Sequence, residues 1–159
     1  MDIILCHQTV DFDALGSAIG LSLLKQGAKI VLTGGAHTAV KNFLALYRDE
    51  FAFTEMRSIN PEAIAIIYIV DTQKSDRLGA AAQWLTLPNV QRIEVFDHHV
   101  DLLSDIPVTE IHTEAVGAIT TYIVELLQQH NIVLTPFEAT AMALGIHVDT
   151  GSLTFDQST

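Results

Sequence analysis

Short apolar runs alternate along this chain with stretches in which apolar residues recur every three or four positions. The first predicts strands and the second helices. Asp2–Cys6 is an apolar run that predicts a strand, and Ala14–Gln26, with Leu15, Ala18, Ile19 and Leu23 on one face, predicts the following helix, closed by Gly27. Lys29–Leu32 predicts a second strand ending at Gly34-Gly35, and Val40–Tyr47 a second helix. Ala63–Val70 is continuous, short and β-branched, the pattern of a central parallel strand covered on both faces. A brief helix over Arg77–Leu85 and the turn at Pro88-Asn89 lead to a strand over Val90–Phe96, with a further strand expected at Ile106–Ile111. Helices over Ala115–Gln129 and Pro136–Gly145 follow, the second with Thr135 as N-cap and Pro136 at the first helical position. This alternation predicts an α/β chain with a Rossmann-like, doubly wound, mainly parallel sheet flanked by helices and right-handed crossovers.

At 159 residues the chain is expected to form one domain around one core. Its longest apolar run, Ala63–Val70, is far short of the roughly 20 residues a membrane helix needs. The N-terminus carries no basic stretch before its apolar run, so a cytoplasmic protein without a cleaved signal or membrane anchor is expected. The single cysteine, Cys6, lies in the first apolar run and reads as a buried free thiol. A net charge of -11 argues against a broad nucleic-acid-binding surface. An anionic substrate would need bound divalent cations or a basic surface from another domain.

Candidate chemistry gathers where the predicted strands end, which is where doubly wound sheets place their sites. His7, Asp11 and Asp13 follow the first strand; Asp11 and Asp13, two apart, can share one side of an extended segment and would repel unless a cation lay between them. The alternative is that Asp13 caps the next helix and Asp11 is a turn residue. Asp71 ends the strand Ala63–Val70 and reads either as a helix cap or as a metal ligand. Asp97-His98-His99 follows the next strand, on the same predicted sheet edge, and Asp149 lies between a helix and a glycine turn at Gly151. Each station alone is ambiguous; carboxylates and imidazoles recurring at one edge read jointly as a metal site. His147 is a further candidate beside Asp149, His112 and His130 read as surface or loop residues, and Trp84 as packing. Gly34-Gly35-Ala36-His37 reads as a turn after a strand, and no G-x-G-x-x-G follows the first strand, which argues against a dinucleotide site.

The ordered set H-x-x-x-D-x-D (His7 to Asp13), V-D-T (Val70 to Thr72), D-H-H (Asp97 to His99) and G-I-x-x-D-T-G (Gly145 to Gly151) resembles the four-motif signature of the DHH phosphoesterases. That family includes RecJ-type exonucleases, nanoRNases, cyclic dinucleotide phosphodiesterases and the related family II inorganic pyrophosphatases. The resemblance implies that His7 and Asp11 hold one metal, that Asp13, His98 and Asp149 hold another, and that Asp71 bridges them. It also implies that His99 contacts the scissile phosphate or its leaving oxygen, with Asp97 supporting the histidines. Two Mn²⁺ per chain are the implied cofactors, with Mg²⁺, Co²⁺ or Zn²⁺ as substitutes, and the implied reaction is hydrolysis of a phosphodiester or phosphoanhydride by an activated water. The implied substrate is a phosphate-containing small molecule or a short oligonucleotide.

Complete enzymes of that family carry a second, substrate-reading domain with a Gly-Gly-Gly-His-like motif, which is not found between His7 and Thr159. A continuation beyond Thr159 is therefore expected. Ala45-Leu46-Tyr47-Arg48-Asp49-Glu50-Phe51 also resembles the DHH domain that opens fusions with CBS repeats and a poly(A)-polymerase or CCA-adding nucleotidyltransferase module. That second resemblance implies an alternative role, a regulatory or RNA-positioning metal-binding module.

Overall fold

The structure, a computed structural model, describes residues 1–156. Its centre is a six-stranded sheet of β1 (Asp2–Leu5), β3 (Lys29–Leu32), β5 (Phe53–Glu55), β6 (Ile66–Val70), β7 (Arg92–Asp97) and β8 (Glu110–Thr113), in the order β5-β3-β1-β6-β7-β8. Every neighbouring pair is parallel. Numbered within this sheet alone, the order is 3-2-1-4-5-6, the doubly wound arrangement whose direction of winding reverses between β1 and β6. The predicted α/β class therefore holds, with a sheet more uniformly parallel than expected. A two-stranded parallel ribbon, β2 (Thr9–Val10) with β4 (Gly35–Ala36), ties down the loop that leaves β1. Two-residue strands carry too little alternation to be read from sequence.

The two sheet faces bury different sets of side chains because successive strand residues point opposite ways. Ile4, Tyr68, Val70 and Phe96 face α1 (Phe12–Leu24), α2 (Thr38–Tyr47), α3 (Ile119–Gln129) and α4 (Pro136–Asp149). Ile3, Leu5, Ile67, Ile69, Ile93 and Val95 face a second core closed by Leu78, Ala81, Trp84 and Leu85. The helix expected over Arg77–Leu85 is instead a run of 3₁₀ turns over Ser75–Thr86, interrupted at Gly79 with φ 57°. Leu78, Ala81 and Trp84 recur every three residues, so a three-residue turn puts all of them on the sheet.

Helix α1 is buried from Phe12 through Leu21 because it lies between the sheet and the pair α3 and α4. Glycines permit that close approach. A Cβ on Gly145 would lie 2.8 Å from both the Phe12 carbonyl oxygen and Thr120 Oγ1, and one on Gly20 would lie 2.5 Å from Ile123. Gly145 therefore sits inside α4, which continues to Asp149 beyond its expected end. Other boundaries moved as well: the strand expected from Ala63 starts at Ile66, after a 3₁₀ turn over Pro61–Ala63, and the strand expected from Val90 starts at Arg92. The strand expected at Ile106–Ile111 starts at Glu110, because Ile106 enters the second core and Thr109 brackets Ile93, donating to its carbonyl and accepting from its N–H. The helix expected from Ala115 starts at Ile119, where Asp13 accepts its first N–H groups.

Gly145→Ala is expected to destabilise the fold by about 1–3 kcal/mol, the usual range for overpacking. Asp13, one residue beyond the Phe12 carbonyl, should be displaced with it. Thermal denaturation and Mn²⁺ affinity on the same variant check both effects; unchanged values would show that the α1–α4 contact is not tight.

Candidate metal centre

The carboxyl ends of β1, β6 and β7 deliver the candidate residues to one place. His7 stands two residues after Leu5, Asp71 directly after Val70, and Asp97 ends β7 with His98 and His99 behind it. Asp11 and Asp13 open α1, and Asp149 ends α4, which packs on α1. The eight residues proposed from sequence are thus brought to one sheet edge in three groups, the third sharing a residue with each of the others. His7, Asp11 and Asp71 offer ligand atoms within 4.8 Å of one another, as do Asp13, His98 and Asp149. Asp71, Asp97, His98 and His99 form a third such group.

Asp71 joins the sets. Its Oδ2 lies 3.3 Å from His7 Nε2 and its Oδ1 lies 3.4 Å from His98 Nε2, so its two oxygens face different imidazoles. Its backbone adopts φ 58°, an uncommon region for any residue but glycine and one that Asn and Asp tolerate best. The N–H of Asp71 donates to the Phe96 carbonyl at 2.9 Å, which anchors this bend to β7. Backbone strain held by surrounding structure at a cluster of polar groups is typical of functional positions.

Asp11 uses its oxygens separately. Oδ1 accepts from Ala14 N–H at 2.9 Å as the N-cap of α1, while Oδ2 lies 3.7 Å from His7 Nε2. Capping and site geometry therefore coexist at Asp11, and the alternative in which Asp13 is the cap does not hold. Asp13 is fully buried inside the first turn of α1. It accepts from Ile119 N–H, Thr120 N–H and Thr120 Oγ1 at 2.9, 2.8 and 2.6 Å. Its Oδ2 still lies 3.6 Å from His98 Nε2, and Asp149 Oδ2 lies 3.5 Å from the same nitrogen.

Asp97 is fully buried and serves mainly His99, whose Nδ1 lies 2.8 Å from its Oδ1. It also accepts from the backbone N–H of His98 at 3.0 Å. The His98 ring itself is oriented by the Val116 carbonyl, 3.2 Å from Nδ1, so the expected support of both imidazoles by Asp97 applies to the His99 ring alone. Gln73 completes this support: its Nε2 donates to Asp97 Oδ2 at 2.9 Å and to the His99 carbonyl at 2.8 Å. Neither Gln73, Thr120 nor Val116 stood out in the sequence. Gln73 follows the Val70-Asp71-Thr72 motif and was within reach of local reading; Thr120 and Val116 carried no signal. His147 is exposed on α4. His112 is partly buried, stacked on Phe96 and 3.6 and 3.5 Å from Glu94 and Glu110, contrary to its reading as a surface residue.

The electrostatics follow from burial and crowding. Burial opposes a charged imidazole, but Asp11 and Asp71 around His7 more than offset it and push His7 up to about 9. His98 is likewise opposed by burial and pushed up to about 9 by Asp71 and Asp13. Burial, then Asp71 and Asp11, push Asp149 up to about 6, and burial with Asp71 and Asp149 raises Asp13 well above the usual carboxylate range. Asp97 is held low despite burial by His99 and Gln73. Positive charge is therefore what this cluster demands, from imidazolium or from a cation.

The atoms fit a cation. His7 Nε2, Asp71 Oδ1 and His98 Nε2 are buried and have no hydrogen-bond partner among the described residues. Buried polar atoms are rarely left in that state. Ligand atoms about 2.1 Å from one ion stand roughly 3.0–3.5 Å apart, close to the 3.3–3.7 Å separations seen here.

The profile of the DHH family, N-terminal domain, matches residues 3–146. Among characterised proteins, the A-adding tRNA nucleotidyltransferase of Geobacter sulfurreducens is 33% identical over 160 residues, covering 100% of this chain and 18% of that protein. The A-adding tRNA nucleotidyltransferase of Aquifex aeolicus is 29% identical over 157 residues, again 18% of its length. The chain thus spans under a fifth of those relatives. An exopolyphosphatase-related protein from Bacteroides fragilis superposes with a TM-score of 0.77 over 99% of this chain and 48% of its own, at 16% identity, a likeness of fold.

The raised imidazoles set a pH dependence with a definite sign. Their folded values near 9 exceed the ordinary 6.5, so the stability they contribute is full below about 6.5 and lost as pH rises through 9. The raised Asp149 adds a loss in the same direction between about 4 and 6. Metal-stripped protein is expected to weaken from pH 6 to 9 in denaturant titrations, while Mn²⁺ binding strengthens over that window as ligands release protons. A stability that rises across it would mean the histidines are neutral and not paired with the carboxylates.

Proposed function

Because this chain belongs to the DHH family, N-terminal domain, we propose that it is a metal-dependent phosphoesterase domain. It hydrolyses a phosphodiester or phosphoanhydride in a nucleotide or short oligonucleotide. The observation that carries this reading is the meeting of two ligand sets at Asp71, each of whose oxygens faces a different imidazole. His7 and Asp11 would hold one divalent cation, Asp13, His98 and Asp149 the other, and Asp71 both. Mixed imidazole and carboxylate donors suit Mn²⁺, with Mg²⁺, Co²⁺ or Zn²⁺ as substitutes. Such a pair supplies charge neutralisation at the phosphate and acidification of the attacking water.

The chain's own residues supply the rest. Asp97 fixes His99 through Nδ1, and Gln73 fixes Asp97 and the His99 backbone, so the imidazole stands half-exposed at the rim with Nε2 available to a phosphate or leaving oxygen. The carboxylate beside it raises the His99 pKa, which keeps a proton ready for that oxygen. Asp97 and Gln73 are positioning residues in this scheme. Cys6 takes no part: burial above all, then Asp71 and Asp11, raise its thiol well beyond the usual range.

A second reading is favoured by the A-adding tRNA nucleotidyltransferases that match the whole chain over 18% of their length. In it the domain precedes a nucleotidyltransferase module in a cytoplasmic RNA-processing protein and uses its metal site to position RNA or sense metal. Partner domains beyond Thr159 would then supply the basic surface that a chain of net charge -11 lacks. Within the described residues no helix is long and apolar enough to cross a membrane.

Asp71→Asn separates the readings with little risk to the fold, since Asn is isosteric and tolerates the bend at φ 58°. Calorimetry on the wild-type chain is expected to show two Mn²⁺ per chain, and a rise in melting temperature with Mn²⁺. The variant should lose coordination and reduce phosphodiester hydrolysis by more than roughly 100-fold, the upper range for losing an outer supporting partner. Hydrolysis that survived in the variant would overturn the catalytic assignment; two bound metals without hydrolysis would favour the RNA-positioning role.

A further inference from the structure

A second group of ligand-type side chains, Glu94, Glu110 and His112, shares no residue with the cluster at the carboxyl edge. It lies where the outermost strand, β8, pairs with β7. Glu94 of β7 stands opposite Glu110 of β8, and Phe96 stands opposite His112. Positions two apart on a strand share a face, so these four side chains emerge on one side of the sheet. The His112 ring stacks on Phe96 with centroids 4.3 Å apart and planes at 16°, which fixes its direction. Its Nε2 lies 3.6 Å from Glu94 Oε2 and 3.5 Å from Glu110 Oε1, and the three ligand atoms lie within 4.8 Å of one another.

Hydrogen bonding leaves this group incomplete. His112 Nε2 is buried and has no hydrogen-bond partner among the described residues, a state rare for a buried polar atom. Glu94 is 2% exposed, deep for a carboxylate, and its two oxygens are held unequally. Arg92 Nε meets Oε1 at 2.8 Å, whereas Lys25 Nζ reaches Oε2 only at 3.4 Å, beyond the roughly 2.7–2.9 Å of a charge-assisted hydrogen bond. The loosely held oxygen is the one that faces His112. A direct imidazolium bridge would draw Nε2 into hydrogen-bond range of a glutamate. Separations of 3.5 and 3.6 Å instead match donors that share an ion, since ligand atoms about 2.1 Å from a tetrahedrally coordinated cation stand about 3.4 Å apart.

We propose that Glu94, Glu110 and His112 form a separate cation site, selective for an imidazole-binding divalent ion such as Zn²⁺, that clasps the edge strand β8 to β7. One imidazole with two carboxylates favours Zn²⁺ over Mg²⁺ or Ca²⁺, and three protein ligands leave a position for water. The ion displaces Lys25 from Glu94 Oε2, and that side chain is already about one-third exposed. The clasp has a structural consequence. Strand β8 ends at Thr113 and leads into the segment whose Val116 carbonyl orients His98 and whose Ile119 and Thr120 N–H groups hold Asp13. Fixing β8 therefore steadies the approach to the candidate metal centre. This site is independent of the phosphoesterase reading, because none of its ligands serves that centre.

The test is a calorimetric Zn²⁺ titration of the metal-stripped full chain beside His112→Gln and, independently, Glu110→Gln. The wild-type chain is expected to take up one ion that each variant loses or holds more than roughly tenfold more weakly, the least that losing even a supporting partner costs. The count is read as a difference between proteins, so it stands whatever number of ions the centre at Asp71 binds. Glu110 is exposed, so Glu110→Gln keeps the fold even if removing the stacked His112 ring does not. In crystals grown with Zn²⁺, anomalous scattering at the zinc edge should place an ion beside His112 Nε2. Equal counts and affinities in wild type and Glu110→Gln, or no anomalous density beside His112, would overturn the site and leave His112 loosely paired with two glutamates.

Discussion

Four carboxylates, those of Asp11, Asp13, Asp71 and Asp149, are gathered around the Nε2 atoms of His7 and His98 in a space largely closed to water. Like charges at these separations repel strongly when desolvated, and the surrounding structure is arranged to hold them there. Asp13 is gripped by the first N–H groups of α3, where the helix dipole favours an anion. Asp11 is held by the α1 N-terminus, and Asp71 by its backbone bond to Phe96. The repulsion is relieved by protons taken up at Asp13 and Asp149 or by positive charge between the carboxylates. Imidazolium at His7 and His98 fills that need in part, and two divalent cations would fill it fully.

Placement of the cluster follows from the winding of the sheet. Crossovers from β1 and β6 leave in opposite directions, so the loops after them separate and leave a crevice at the carboxyl edge. His7 and Asp71 flank that crevice, and Asp97 ends the next strand over. Helix α1 then carries Asp11 and Asp13 back across the same edge, and the glycine contacts with α4 bring Asp149 within reach of His98.

The chain's acidity and the chemistry of its site are compatible once local and global charge are distinguished. The net charge of -11 repels polyanions at long range. At the cluster a bound cation would reverse the local sign of the field.

The strand ends and their ligand-type residues were legible in the sequence because both depend on local order. An apolar run that stops at Asp71, or at Asp97-His98-His99, marks an edge whatever the rest of the chain does. The α/β class and the ordered motifs from His7 to Asp149 followed from the same reading. Boundaries were less legible: Gly79 and a three-residue period turned an expected helix into 3₁₀ turns, and α4 ran past Gly145. What the sequence left open was decided by contacts between distant segments. Only tertiary packing separates Asp11 the cap from Asp13 the buried acceptor of α3, seats Asp71 between two imidazoles, and assigns Gln73 and the Val116 carbonyl to the two histidines. Apart from the local Asp11 cap, these are pairings across 18 to 107 residues in the chain, and side-chain direction at such range is fixed by packing, which no local pattern encodes.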